Sequence, residues 1–502
     1  MAATNSNDEA GIPGMDVERF SVVAHRAVDM VTEYLRSIRS RPVFEPMQSA
    51  QRRRLLRLEL PSSGRSPDAI LDFFSEEIFA HPMGNGHPRF FGWVNSPPAP
   101  LGIVAELLSA AMNPSCAGGD HAATYLERAV VRWLAEVVGF PLEPFGMGLL
   151  VSGGSMASLT CLAAARHYAA NADGWSERED GLQNRERPPL VLYLSEEGHG
   201  CMRKAAELLG IGSKWVRVVP TNSQFQMDVS ALSELVKKDR QTGYRPFCIA
   251  ASAGTVNTGT IDPLHEIAAF CQEQNLWFHV DGAYGAFGVL DDSVAHLYRG
   301  LAEADSLALD PHKWLSAPVE CGCVLVRDGR VLRDTFSLVP PYLRTEEGKG
   351  FGGLPWFSEY GFQQTRGFRA LKLWMVLENA GRAGVQALVK KHNALAQCLS
   401  ELIKEKSDLE LLAPVTLSAV CFRYAPSALR AEEEKLSALN KGLMERVQAR
   451  GETFVSGTTL RNRFALRACI LHYDTTPDDL AALVRTIRDT GEQLLRAGES
   501  KQ

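Results

Sequence analysis

The chain has 502 residues, a formal net charge of −6 and 45% hydrophobic residues. That length accommodates more than two domain-sized units, and the composition is that of an ordinary globular protein. The acidic balance offers no field to nucleic acid or an anionic membrane surface, and no apolar run reaches the length of a bilayer span.

Residues 1–14, MAATNSNDEAGIPG, are polar and are expected to be disordered. They carry neither a basic start nor an apolar core, so a cytoplasmic location is expected. The ten cysteines are scattered, several of them in apolar runs such as FCIAASAG and AVCFRY. This suits reduced, buried thiols. Cys321 and Cys323 lack a companion pair or a nearby histidine cluster, so no metal site is expected.

Residues 15–85 read as a helical segment. Val23, Ala27, Met30, Val31, Tyr34, Leu35 and Ile38 recur at helical spacing. A second helix is expected over 66–78, with Ser66 as N-cap and Pro67 at the first helical position. Residues 81–100 form a Gly/Pro/aromatic connection. Helices follow at 101–112 and 125–138. Between them lies Cys116–His121, where His121 reads as a helix cap.

A large domain is expected over 86–375. Leu149–Leu159, LLVSGGSMASL, is a Gly-Gly-Ser turn opening a helix over 157–170. Its backbone N–H groups and dipole suit a phosphate. Strands expected at 190–194, 247–252, 276–281, 306–309 and 321–326 alternate with helices at 201–209, 228–238 and 263–274. Such alternation implies an α/β fold, with a mostly parallel sheet covered by helices. Residues 175–189 read as a surface loop. Residues 328–365 show few regular signals, and the stretch about 335–355 reads as a mobile, glycine-rich lid. Helices at 371–379 and 384–404 follow. Strands at 415–423 and 465–472 and helices at 427–450 and 477–497 make a small C-terminal α/β domain, 376–502.

Chemistry concentrates in four places. Lys313 lies on a turn just past the short buried run Ser306–Leu309, because Asp310-Pro311 breaks the strand. A lysine between two buried strands needs a partner or a covalent role. Asp281 ends an apolar run in LWFHVDGAYGA, at the strand end where open α/β sheets hold ligands. His199 follows the strand LVLYL. With the Gly-Gly-Ser turn, these supply an amine, an acid, a flat group and an anion seat, which is the set that pyridoxal phosphate requires.

The order Gly-Gly-Ser, His199, HVDGAY, DPHKW, with HPRFFGWVNSPPAP near residue 90 and FRALKLW near residue 370, resembles the pyridoxal-phosphate-dependent group II amino-acid decarboxylases. The aromatic-L-amino-acid decarboxylase branch is the most similar. The resemblance implies a type I PLP-dependent transferase fold and a homodimer with shared active sites, the 15–85 segment crossing the partner. It implies that Lys313 holds the aldehyde of pyridoxal 5′-phosphate and that Asp281 keeps the ring nitrogen protonated. His199 would stack on the ring and Ala283 would pack on its other face. Gly154 and Ser155 would hold the phosphate, with Thr255 near Asp281 and His312 touching phosphate or substrate. Tyr342, in VPPYL, matches a lid tyrosine that protonates Cα and gives the amine. Relatives with phenylalanine there give an aldehyde.

By the same resemblance, Trp93, Val94 and Asn95 wall the substrate pocket, and His121 touches substrate or caps its helix. Three departures stand out. Gly84-Asn85-Gly86 replaces a tryptophan common in the aromatic branch, His121 replaces a proline, and Met156 and Ser158 replace Glu and Asn. Arg366 and Arg369 either bind a carboxylate or tie the small domain to the large one. The implied substrate is a small-molecule L-amino acid, aromatic first, with acidic or imidazole amino acids and aldehyde synthesis as alternatives.

Overall fold

In a computed structural model of the chain, residues 14–184, 186–338 and 351–499 are described. Tyr342 and most of the expected lid therefore lie outside the described residues.

The N-terminal arm carries α1 (Val17–Ser37), α2 (Ser49–Leu56) and α3 (Pro67–Phe73). Ser66 accepts from the Ala69 N–H and Pro67 opens α3, as its sequence signature requires. The helix then widens into a π-helical turn, Phe74–Phe79. Arg26 Nη1 pairs with Asp68 at 3.1 Å and ties α1 to α3. The sequence reading missed α2, because SAQRRRLL has no apolar period; Gln51 closes it by accepting from the Gln48 N–H at 2.8 Å. None of the three helices buries a residue within the chain.

Next come β1 (Phe90–Phe91), α4 (Pro100–Met112) and α5 (Ala122–Val138). The large sheet is then built in order. It comprises β2 (Met147–Val151), α6 (Gly154–Ala172), the single turn α7 (Glu177–Asp180), β3 (Leu190–Ser195), α8 (Cys201–Leu208) and β4 (Val216–Val219). It continues with α9 (Val229–Gln241), β5 (Arg245–Ser252), α10 (Leu264–Gln274), β6 (Trp277–Asp281), β7 (Ser306–Leu309), β8 (Gly322–Val326) and α11 (Gly329–Phe336). The strand order is β2-β8-β7-β6-β5-β3-β4.

Only β8 runs against the others, pairing antiparallel with both β2 and β7. The carboxyl ends of β2, β3, β5, β6 and β7 therefore meet at one edge. Alternate residues enter opposite cores: Leu150, Ile249, Val280 and Leu307 on one face, and Val151, Ala250, Trp277 and Ala308 on the other. Both faces are buried, which is why these strands read as unbroken apolar runs.

The C-terminal part comprises α12 (Arg369–Lys404), β9 (Leu409–Leu411), β10 (Ala419–Tyr424), α13 (Glu433–Arg450), β11 (Phe454–Leu460), β12 (Arg463–Cys469) and α14 (Pro477–Glu499). Its sheet has the order β1-β11-β12-β10-β9. Phe90, inside the segment expected to begin the large domain, instead pairs parallel with Phe454 of the small sheet. Tertiary pairing gave strand structure to a stretch too short and too glycine-rich to show a period. The expected division at 375/376 falls inside α12, which bends at Gly381. The expected helix at 427–450 begins later, because Ser427–Leu429 forms a separate 3-10 turn after Pro426. Among the described residues, no helix is long and apolar enough to cross a membrane.

Candidate active site

At the shared edge of those five strands lies a cavity of about 410 Å³, within the range of small-molecule sites. Each wall segment follows a strand. Ser152–Met156 follow β2, His199 follows β3, Ser252 and Gly254 end β5, Asp281 ends β6, and Asp310–Lys313 follow β7. Val94, Cys201, Val256, Ala283, Tyr284 and Glu320 also line the cavity.

Lys313 keeps 23% of its side chain open. Its Nζ lies 2.9 Å from Asp310 Oδ2, whose carboxylate is buried. Burial pushes the Lys313 ammonium down, but Asp310 and then Asp281 outweigh it and hold the group above its ordinary value. Asp281 moves the other way for a carboxylate. Burial raises it, against the opposing pull of Lys313 and a 3.1 Å hydrogen bond donated by the Ala283 N–H. The turn is anchored from behind. Trp314 is fully buried, stacks on Tyr284 at 5.5 Å and donates from Nε1 to His392 Nδ1 at 3.0 Å.

The second glycine of the Gly-Gly turn is required by crowding. A Cβ on Gly154 would stand 2.8 Å from Asp310 Oδ2 and 2.9 Å from the Ala283 Cβ. Gly322 approaches so closely that its own Cβ would meet the Gly153 backbone at 2.5 Å. The first N–H groups of the 19-residue α6 face this space without a side-chain cap on Gly153.

The structure thus brings Lys313, Asp281, His199, Gly154, Ser155, Ala283, His312 and Val94 into one wall. Others sit elsewhere. Thr255 lies behind the wall, its hydroxyl bonded to Thr258 at 2.8 Å. Trp93 and Asn95 do not line the cavity; Trp93 packs on Phe90 and Phe454. His121 is the N-cap of α5 and stacks on Phe351. The His312 Nδ1 lies 2.7 Å from the Cys321 carbonyl.

Arg369 pairs with Glu320 at 2.5 Å and so holds part of the cavity wall. Arg366 pairs with buried Glu127, within the large domain. Asp310 and Glu320 are wall residues that sequence reasoning missed. Asp310 read only as a strand breaker, and its position three residues before a lysine was the signal available.

A partly buried amine beside two carboxylates, a turn that a side chain on Gly154 would fill and an open helix N-terminus match the donors pyridoxal phosphate needs. Among the described residues Asp310 Oδ1 is buried without a hydrogen-bond partner, and His312 Nδ1 stands 3.8 Å from it. Fold and site together define an enzyme of the pyridoxal-phosphate class. A family model described as the pyridoxal-dependent decarboxylase conserved domain matches residues 50–425, and the chain belongs to that family.

The chain is 32% identical to an aromatic-L-amino-acid decarboxylase of Bacillus atrophaeus, over 96% of this chain and 97% of that one. The solved structure of Oryza sativa TDC with PLP and tryptamine matches with a TM-score of 0.89 at 26% identity, covering 96% of this chain and 99% of that one. A 4-hydroxyphenylacetaldehyde synthase of Rhodiola rosea matches with a TM-score of 0.83 at 26% identity, covering 95% and 99%. The protein is a pyridoxal-phosphate-dependent decarboxylase.

Proposed function

We propose that this enzyme removes CO2 from an aromatic L-amino acid and releases the corresponding amine. The observation that carries the proposal is the 32% identity, over nearly the whole chain, to an aromatic-L-amino-acid decarboxylase. Bound pyridoxal phosphate supplies a sink for the electron pair left on Cα when CO2 departs.

The chain's residues divide the remaining work. Lys313 contributes the amine that attaches the cofactor, and Asp310 holds that amine as its ammonium beforehand. Asp281 keeps the pyridine nitrogen protonated by charge. Ser155 and the first amides of α6 would hold the phosphate. His199 and Ala283 would hold the ring between them. His312 braces the lysine turn through the Cys321 carbonyl. Val94 is the part of the 93–95 loop that meets the substrate side chain. Tyr342 delivers the proton to Cα, and its phenol favours the amine over the aldehyde.

Two copies share the sites. Phe20, Leu58 and Leu60 lie open on an arm whose helices α1, α2 and α3 bury no residue within their own chain, and a second copy covers them. The ten free cysteines fit a cytoplasmic setting.

The test is a screen of CO2 release across the L-amino acids, with the product identified. Amine from tryptophan, tyrosine, phenylalanine or dihydroxyphenylalanine is expected. No turnover on any of the four defeats the assignment, and an aldehyde product moves it to the synthase outcome.

A further inference from the structure

Arg366 and Glu127 are buried charges to which the chemistry above gives no task. Both side chains are 1% exposed, and neither lines the cavity. Arg366 precedes α12 and Glu127 belongs to α5; their guanidinium and carboxylate pair directly. The same atoms also grip a third residue. Glu127 Oε1 accepts the Leu150 N–H at 2.9 Å, and Arg366 Nη2 donates to the Leu150 carbonyl at 2.5 Å.

Leu150 lies on β2, the edge strand, which among the described residues has only β8 beside it. The ion pair takes the place of the missing neighbour, satisfying both backbone groups of Leu150 on the open side. Ser152, Gly153 and the start of α6 follow at once. Arg366 reaches further. Its Nη1 donates to the Cys116 carbonyl at 2.7 Å, the Cys116 N–H donates to the Arg366 carbonyl at 2.8 Å, and the guanidinium lies 4.7 Å from the Phe357 ring centroid.

We infer that Arg366 and Glu127 are positioning residues for the cofactor's phosphate, clamping Leu150 so that the Ser152–Gly154 turn stands at a fixed height against Asp310 and Ala283. The inference rests on the placement of the phosphate at α6 proposed above. The turn has no slack in which to absorb a shift, since Gly154 and Gly322 already sit at closest approach to their neighbours. A salt bridge that served folding alone is often replaced by uncharged groups without loss. Here the replacement removes two hydrogen bonds to the strand that leads into the site.

The test uses the full chain freed of cofactor, with a double variant, Arg366→Met and Glu127→Leu, that leaves no lone buried charge and no side-chain partner for Leu150. Glu127→Gln alone is the second variant. Affinities for pyridoxal 5′-phosphate and for pyridoxal are read from quenching of tryptophan fluorescence, with melting temperatures alongside. The wild-type preference for the phosphorylated form measures the seat itself, and its absence would sink the seat and this inference with it. Given that preference, the double variant is expected to lose at least tenfold of it while its affinity for pyridoxal stays within twofold. Glu127→Gln is expected to move in the same direction. An unchanged preference overturns the clamp. So does an equal loss for both ligands that tracks the melting temperature, because that marks a role in folding only.

Discussion

Asp281 and Asp310 stand in one cavity and do different work because their surroundings differ. Asp310 has an ammonium at 2.9 Å. Asp281 accepts one backbone N–H and burial raises it, which makes its carboxylate a stronger proton acceptor for a ring nitrogen. Asp281→Asn keeps the shape and removes the charge. It is expected to lower kcat by about 100-fold or more, the scale of a lost proton-holding group. Lys313 should still take up the cofactor, which borohydride reduction and peptide mass spectrometry would show. A variant that turns over normally removes Asp281 from the chemistry. At this scale the motifs located most of the wall. Lys313, His199 and the Gly-Gly turn were legible because each follows an apolar run. Asp310 was passed over as a strand breaker although its partner Lys313 stands only three residues on, and Glu320 was not legible because Arg369, 49 residues away, becomes its neighbour only in the folded chain.

Among the elements, α12 shows periodicity locating a break. The apolar period breaks near residues 380–383, so the sequence reads as two helices. The chain turns at that place: Gly381 takes non-helical angles, φ 62° and ψ 171°, and divides Arg369–Lys404 into two helical arms. That conformation is open to glycine and to almost nothing else. A Cβ at Gly381 would meet no atom within 4 Å, so the penalty for a side chain is one of backbone strain and not of collision. Gly381→Ala is expected to destabilise the fold by about 1–3 kcal/mol, read as a lower denaturant midpoint at unchanged slope. An unchanged midpoint would mean that the bend is not held by the glycine. Strands β4 and β11 also escaped the sequence reading. β11 contains Gly457 and turns only part of its length inward, so neither an apolar run nor clean alternation marks it.

Across the molecule, neutral histidines sit at the joints between parts. His392 bonds to Trp314 and to the His472 carbonyl, and His472 reaches the Gly86 carbonyl at 2.9 Å. Burial pushes His279 and His392 down to about 3, and His87 and His472 down to about 4. Unfolded, such groups titrate near 6.5. Below that pH the unfolded chain binds protons that the folded chain refuses. Their contribution to stability is therefore complete above about pH 6.5 and is lost as pH falls toward 4. Each group adds a slope of up to about 1.4 kcal/mol per pH unit. The melting temperature is expected to fall steadily from pH 7 to pH 5, and His392→Gln should flatten that slope. A melting temperature constant across the range would contradict it.

The sequence by itself determined the class of sheet, the strand ends that carry chemistry and the family, because buried parallel strands print continuous apolar runs and a cofactor demands fixed residue types beside them. Only the tertiary structure decided that Phe90–Phe91 joins the small sheet, that Thr255 stands behind the wall, and that Arg366 serves an edge strand. Those outcomes depend on contacts between residues hundreds of positions apart. Local propensity carries no record of such neighbours.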